Sequence, residues 1–189
     1  MIGAIMATKP ILIVVGTNRP GANALRIGKI IQGMYQKAGE AVDLYGLDQM
    51  PREIFDSSSY ATKPAAWVEV QQRVVDAKGL HIVTPEYNGG FPGVMKYFID
   101  MLKFPESFER KPVAFVGEAA GIWGALRPVE QLAQIFCYRN AYLYPERVFI
   151  PRVGTVLDAE GNLTDAKILE MLERQVKGFT LFAGRVGAG

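Results

Sequence analysis

The feature that most constrains the fold is the apolar run at residues 11–16, in which aliphatic residues are followed directly by a glycine. A strand with no polar residue on either face is typical of a parallel sheet covered by helices on both sides. From Asn23 the apolar residues change to a helical spacing, which includes Ile27 and Ile31, and this helix is predicted to end near Gly39. The chain therefore begins with a strand, a short loop and a helix.

The same alternation continues along the chain. Five strands alternating with helices indicate a parallel sheet with helices on both faces, because each right-handed crossover lays a helix across the sheet. In such sheets ligands bind at the carboxyl ends of strands, where the strand order reverses. The further strands are predicted at 41–45, 80–83 and 113–116, with a broken fifth strand within 141–150, and the further helices at about 64–79, 92–102, 125–138 and 164–179, with Pro92 as a first helical residue.

Length and composition limit the class of protein. With 189 residues, 49% of them hydrophobic, and no linker rich in glycine, serine or proline, the chain is predicted to form one domain over residues 10–189. Residues 1–9 are treated as a loose leader, because they lack the cationic start of a secretory signal and are too short to span a membrane. A formal charge of +2 without any block of like charge argues against nucleic acid or membrane binding and favours a small-molecule partner.

Cysteine and histidine are scarce. The single Cys137 excludes an internal disulfide, and with only one histidine, His81, no zinc or catalytic Cys-His pattern is recognisable. This usage favours a reducing, cytoplasmic compartment. Cys137 is expected to fill the core, and His81, which lies inside a predicted strand, is expected to be structural. No carboxylate pair, nucleophile-base pair or metal set stands out, as is expected when a cofactor carries the chemistry.

The loop after the first strand, residues 16–23, has the composition of an anion site. It places the hydroxyl of Thr17, the guanidinium of Arg19 and a capping Asn23 beside the backbone N–H groups of a helix start, which suits a terminal phosphate. Its spacing matches neither a Rossmann fingerprint nor a P-loop. An ordinary turn, capped by Asn23 and carrying a surface Arg19, is the alternative.

The loop after the third strand is unusually long and rigid. Residues 84–95 contain two prolines and three glycines, and the pair Gly89 and Gly90 would let the backbone approach a flat ligand closely. Tyr87 and Phe91 either pack on that ligand or fill the space above the next helix. A rigid turn without a ligand is the other interpretation.

The loop after the fourth strand, residues 119–127, again consists mainly of small residues, which leave room for a large planar ring. Trp123 is either a contact at the edge of that ring or an anchor at an oligomer interface, where tryptophan is enriched.

The three loops together resemble those of a known family. Residues 16–23, residues 85–93 with Lys96 and Asp100, and residues 121–127 are similar to the corresponding segments of the NADPH-dependent FMN reductase family, which includes quinone-reducing and chromate-reducing flavoproteins and relatives of the azoreductases. The resemblance covers the chain from residue 11 to the last helix. It implies a flavodoxin-like α/β fold, a doubly wound five-stranded parallel sheet of order 2-1-3-4-5 with helices on both faces, which binds FMN non-covalently.

The resemblance also implies which residues form the site. It implies no catalytic side chain, because FMN carries the chemistry, and no metal ion. The family commonly has serine where this chain has Ala22, and often at positions 119 and 120, and these departures favour weaker FMN binding.

Family members are typically dimers or dimers of dimers with the flavin near the interface, where Arg127 matches a contact residue. By position, the phosphate would be held by Thr17, Arg19, Asn23 and Ala24, the isoalloxazine by Pro85, Glu86, Tyr87, Asn88 and Gly89, and its other edge by Ala119, Ala120 and Gly121.

The implied activity is hydride transfer from NAD(P)H to FMN, followed by electron transfer to a small acceptor. A quinone is the first choice, and chromate, azo compounds and free flavin are others. A flavodoxin-type electron carrier without NAD(P)H activity is the main alternative, but such carriers are usually acidic and lack arginine in the phosphate loop, whereas this chain has Arg19 and a pI of about 8.6. A second alternative is a binding protein of the same fold that has lost FMN.

Overall fold

The computed structural model describes residues 9–187. Of the predicted leader, residues 1–8 lie outside the described residues, and Lys9 is exposed. The α-helices within this range are α1 (Asn23–Lys37), α2 (Ala65–Asp76), α3 (Gly93–Met101), α4 (Leu126–Tyr138) and α5 (Ala166–Val186). The strands are β1 (Ile11–Val15), β2 (Val42–Gly46), β3 (Gly79–Pro85), β4 (Pro112–Glu118), β5 (Tyr142–Leu143) and β6 (Val148–Ile150).

The strands form one parallel sheet in the order β2-β1-β3-β4-β5, and β6 also pairs with β4. β5 lies beside the start of β4, where Pro112 is opposite Tyr142, and β6 lies beside its end, where Glu118 is opposite Ile150. The two short strands together form the predicted broken fifth strand. The flavodoxin-like fold and the strand order 2-1-3-4-5 are thereby confirmed.

Helices cover both faces of the sheet. α1 and α5 pack on one face, and α2, α3 and α4 pack on the other. Alternate residues of β4 divide between these layers, since Phe115 lies in the core with α4 and Val116 lies in the core with α1. All five residues of β1 are buried, as predicted for a strand enclosed on both sides.

Some element boundaries differ from the prediction. Pro92 is the N-cap of α3 and not its first helical residue. α5 continues to Val186 instead of ending near Phe179, because Ala183 extends its buried face by one turn. The prediction that Cys137 lies in the core was wrong: Cys137 is exposed, because the preceding residue, Phe136, occupies the buried face of α4.

His81 is part of a buried polar cluster, as predicted for a structural histidine. Tyr35 Oη lies 2.9 Å from His81 Nδ1, and His81 Nε2 lies 3.1 Å from Gln175 Oε1. The amide nitrogen of Gln175 donates to the carbonyls of Phe115 and Glu146, so its oxygen accepts from Nε2–H, and Nδ1 accepts from the tyrosine hydroxyl. Burial lowers the pKa of His81 to about 4, which keeps the ring neutral.

Across residues 9–187, none of the helices combines the length and the apolar character needed to cross a membrane.

Candidate cofactor-binding site

The three predicted loops meet at the carboxyl edge of the sheet. They follow β1, β3 and β4, of which β3 is the central strand. The hydroxyls of Thr17 and Tyr87 lie 3.0 Å apart, which joins the first loop to the second. The backbone N–H of Glu86 donates to the carbonyl of Glu118 at 3.1 Å, which joins the second loop to the start of the third.

The first loop leaves the start of α1 without a cap. The N-cap is Ala22, whose side chain can accept no hydrogen bond, and the first turn has no acidic residue. The prediction that Asn23 caps the helix was wrong, because Asn23 is already its first helical residue. The uncapped N–H groups carry the positive end of the helix dipole and can bind an anion.

Thr17 and Arg19 belong to the loop that leads into this helix start. The Thr17 hydroxyl is buried and accepts a hydrogen bond from the backbone N–H of Arg19 at 3.2 Å. The side chain of Arg19 is exposed and forms no ion pair with any residue in the 9–187 range. An anion at the start of α1 would therefore have a guanidinium available without breaking an existing pair.

The second loop is a tight β-hairpin. Tyr87 and Gly90 exchange two backbone hydrogen bonds of 2.9 and 3.1 Å. Between them, Asn88 and Gly89 both have positive φ angles, 52° and 78°, as a type I′ turn requires. Within the described part of the chain, the N–H groups of these two turn residues have no hydrogen-bond partner, so the exposed hairpin presents free donors.

The third loop is held in place by the segment after β6. Ala119 donates to the carbonyl of Ile150 and accepts from Val153, at 3.1 and 3.0 Å. Gly124 has a φ of 56°, and a Cβ there would lie 2.9 Å from the backbone nitrogen of Ile150, so this position requires glycine. The loop is thus rigid, although Trp123 is 55% exposed.

A salt bridge connects the second and third loops. Glu86 Oε1 accepts from Arg127 at 3.2 Å, and the Arg127 guanidinium carbon lies 5.7 Å from the centre of the Trp123 ring. The other carboxylate oxygen of Glu86 is buried and has no hydrogen-bond partner among residues 9–187. Buried polar atoms are rarely left unpaired, so this oxygen is suited to a donor from a bound molecule.

Comparison with known proteins gives the family of the chain. Residues 10–154 match the sequence profile of the NADPH-dependent FMN reductase family. The chain belongs to that family.

Relatives of the family match most of the chain. An NAD(P)H-dependent FMN reductase of Pseudomonas aeruginosa is 28% identical over 175 residues, which cover 87% of this chain and 94% of that protein. A quinone reductase of Escherichia coli is 30% identical over 149 residues, which cover 77% and 75% of the two chains. Among solved structures, a flavoenzyme NAD(P)H:(acceptor) oxidoreductase from Paracoccus denitrificans superposes with a TM-score of 0.79 at 22% identity, over 95% of this chain and 99% of that one, and this likeness supports the fold.

In this member of the NADPH-dependent FMN reductase family, the predicted site residues occupy neighbouring positions at one edge of the sheet. We call the sheet edge formed by the loops at 16–23, 84–95 and 119–127 the rim. Thr17, Pro85 and Ala119 are buried in it, whereas the side chain of Arg19 is exposed. Of the others, Ala24 is buried, Asn23, Glu86 and Tyr87 are partly buried, and Asn88, Gly89, Ala120 and Gly121 are exposed.

Sequence reasoning missed Glu118. It is the last residue of β4 and 5% exposed, and burial raises its pKa to about 7, against the lowering effects of the Ala24 backbone N–H and the charge of Arg19. The available signal was a carboxylate at the end of an otherwise apolar strand, directly before the small residues of the third loop.

A groove of about 1230 Å³ lies elsewhere, between α1 and α5. None of the predicted site residues lines this groove, and its charges are mixed, for example Lys29 and Lys177 with Glu40 and Glu173. The carboxyl edge, where the free donors and the unpaired carboxylate oxygen lie, is therefore the better candidate site. Residues 9–187 contain no cluster of histidine, cysteine and acidic side chains suited to a metal ion.

Proposed function

We propose that this protein is an FMN-dependent NAD(P)H oxidoreductase that passes a hydride from NAD(P)H to bound FMN and then electrons to a small acceptor such as a quinone. The observation that carries the proposal is the uncapped start of α1, which the Thr17 to Tyr87 hydrogen bond joins to the hairpin of the second loop. An anion site and a set of free backbone donors are thus held side by side, as a phosphorylated planar cofactor requires.

In this proposal the phosphate binds at the start of α1. The Thr17 hydroxyl, the Arg19 guanidinium and the backbone N–H groups of Asn23 and Ala24 supply the donors. Ala22 contributes no hydroxyl, so binding relies on the charge of Arg19 and on the helix N-terminus. The main determinant of FMN retention is therefore Arg19.

The ring lies along the second and third loops. Backbone groups of Pro85, Glu86, Tyr87, Asn88 and Gly89 line one side, and Ala119, Ala120 and Gly121 line another. When bound, FMN supplies the redox chemistry, and the chain holds and orients it. Glu86 Oε2, which has no hydrogen-bond partner within residues 9–187, would be available to accept a hydrogen bond from a donor of the bound ring. Positioning can suffice for hydride transfer, so no acid or base from the chain is needed.

The proposal extends to the acceptor and the assembly. A quinone is the first choice as acceptor, with chromate, azo compounds and free flavin as further candidates. Residues 10–189 are taken as a single FMN-binding domain that forms a homodimer or homotetramer. Ile122 and Trp123, which are 61% and 55% exposed beside the candidate site, are suited to an interface of this kind.

The test is the colour of the purified protein and its response to a nicotinamide. We expect a yellow flavin spectrum that bleaches rapidly when NADPH or NADH is added without oxygen and returns when a quinone is added. A yellow protein that neither nicotinamide bleaches would be an electron carrier. A colourless protein that FMN does not reconstitute would overturn the binding of FMN itself. Steady-state rates with each nicotinamide then give the preferred donor.

A further inference from the structure

Glu118 is a buried carboxyl at the end of β4, on the sheet edge where the three loops meet, and it forms no ion pair within residues 9–187. Because side chains alternate between the two faces of a strand, Glu118 points to the same face of the sheet as Ala114 and Val116. Both of these residues pack against the layer of α1 and α5. Its side chain therefore lies on the face of the sheet that α1 covers. The backbone N–H of Ala24, in the first turn of α1, lowers the pKa of this carboxyl and so lies on the same side of the sheet.

The charges around Glu118 come from several elements. Arg19, in the loop after β1, is the charged group whose field acts on the carboxyl. Within residues 9–187, no ion pair includes Glu118, so no positively charged side chain holds it ionised through direct contact. The other charged groups on the adjoining elements already have partners or face solvent: Glu86 pairs with Arg127, Asp165 caps α5, Arg26 lies against Gly161 and Arg152 is exposed.

A phosphate at the start of α1 and an ionised Glu118 compete for the same groups. Both would accept from the N–H of Ala24 and both are attracted by Arg19, while their like charges repel each other, and water screens Glu118 little because it is only 5% exposed. A protonated carboxyl does not repel the phosphate, and its O–H can donate a hydrogen bond. Burial raises the pKa of Glu118 to about 7 even before a phosphate binds, so the proton is readily available near neutral pH.

We propose that Glu118 binds a proton from solvent when the FMN phosphate binds at the start of α1, so that FMN affinity is set by pH through this residue. The inference rests on the proposed binding of FMN. In the bound state Glu118 is a neutral carboxyl. In the free protein it exchanges between the neutral and ionised forms around neutral pH.

The direction of the pH dependence follows from this linkage. Below pH 7 the free protein already carries the proton, and affinity changes little through Glu118. Above pH 7 each binding event must take up a proton, so the dissociation constant for FMN rises by up to about tenfold per pH unit. The phosphate of FMN has its own second pKa near ~6 and is fully ionised above pH 7, so it adds no slope there.

The experiment measures FMN binding to the chain of residues 1–189, freed of flavin, between pH 6.5 and 8.5. Calorimetry at pH 8 in two buffers of different ionisation enthalpy gives the protons taken up, and we expect about one for FMN. Riboflavin, which lacks the phosphate, should bind with no uptake. Glu118→Gln should abolish the uptake and bind FMN more tightly than wild type at pH 8.5, by up to roughly thirtyfold, because the amide cannot ionise. Glu109→Gln, at an exposed position, is the matched control.

The outcomes separate the two proposals. If neither FMN nor riboflavin binds at pH 6.5, the proposed function fails. If FMN binds wild type without proton uptake and with no slope above pH 7, the function stands and the role of Glu118 is wrong. If Glu118→Gln weakens FMN at every pH, Glu118 acts as an ionised partner of Arg19, which also overturns the inference. The calorimetry on wild type decides the question even if the variant does not fold.

Discussion

Strand β3 carries two polar regions that differ in how fully they are paired. At His81, inside the strand, both ring nitrogens have partners, and the amide of Gln175 uses its oxygen and its nitrogen. At Glu86, directly after the strand, one carboxylate oxygen is buried and no group in the described part of the chain pairs with it. At Asn88 the backbone N–H likewise finds no acceptor within the described residues.

The difference indicates which region serves stability and which serves binding. A buried polar cluster stabilises a fold when every member is paired, and it has nothing left to offer a ligand. Unpaired buried groups cost stability, so a rim that keeps them is suited to a molecule that pairs them. Variants in the interior cluster, formed by Tyr35, His81 and Gln175, should therefore change stability without changing FMN affinity. Variants in the rim should change FMN affinity without changing stability.

The largest effect is expected for Gln175→Leu in the interior. Leucine removes the partner of His81 Nε2 and the donor to the carbonyls of Phe115 and Glu146, all inside or next to the core. We expect the free energy of unfolding to fall by about 3 kcal/mol, because buried polar groups are left without partners. Thermal and urea unfolding of the flavin-free protein measure this loss.

The matched control is Gln36→Leu, at an exposed position near the end of α1. It should change the free energy of unfolding by less than about 0.5 kcal/mol. FMN affinity measured well below the unfolding temperature should be the same in both variants and in wild type. A large loss of affinity in Gln175→Leu would show that the interior cluster and the rim are not independent.

Much of the fold could be predicted from the sequence. The apolar run of β1 permits only a strand enclosed on both faces, and the change to helical spacing at Asn23 defines α1. The parallel order then follows from the repeated alternation and from the family resemblance. The three loops could be predicted as one edge because the carboxyl ends of parallel strands share that edge.

The remaining details depend on contacts that a single sequence does not contain. The N-cap lies at Ala22 although Asn23 is the better capping residue, because the tertiary path of the loop decides where the helix starts. The hairpin could have been predicted, since Asn88 and Gly89 are a strong type I′ turn signal. The environment of Glu118 could not have been predicted, because the burial of this residue depends on α1, which lies far away in the sequence.

The next effect in size is expected for Arg19→Ala in the rim. Loss of a charge-assisted contact to the FMN phosphate should weaken FMN binding by about 2 kcal/mol, or roughly thirtyfold. The stability of the flavin-free protein should not fall, because the guanidinium is exposed and forms no ion pair within residues 9–187. FMN titration and thermal unfolding give the two quantities.

Two further variants sharpen this result. Arg185→Ala, at an exposed position in the last turn of α5, also removes one positive charge, but at a position distant from Arg19 in the sequence. It should leave FMN affinity unchanged. Arg19→Lys should recover part of the affinity, because lysine keeps the charge but not the paired donors of the guanidinium. Equal FMN affinity in Arg19→Ala and wild type would mean that the phosphate binds elsewhere.

The smallest effect is expected for Tyr87→Phe, which removes only the hydroxyl that joins the hairpin to Thr17. We expect FMN binding to weaken by about 1 kcal/mol, or roughly fivefold, because the two halves of the rim would no longer be held in register. The control is Tyr138→Phe, because Tyr138 is 80% exposed. This variant should have no effect on FMN binding. In a double-mutant cycle with Thr17→Val, the loss should be less than additive, since either change breaks the same bond. Fully additive losses would show that the hydroxyls act separately and that the hydrogen bond does not couple the phosphate loop to the ring loop.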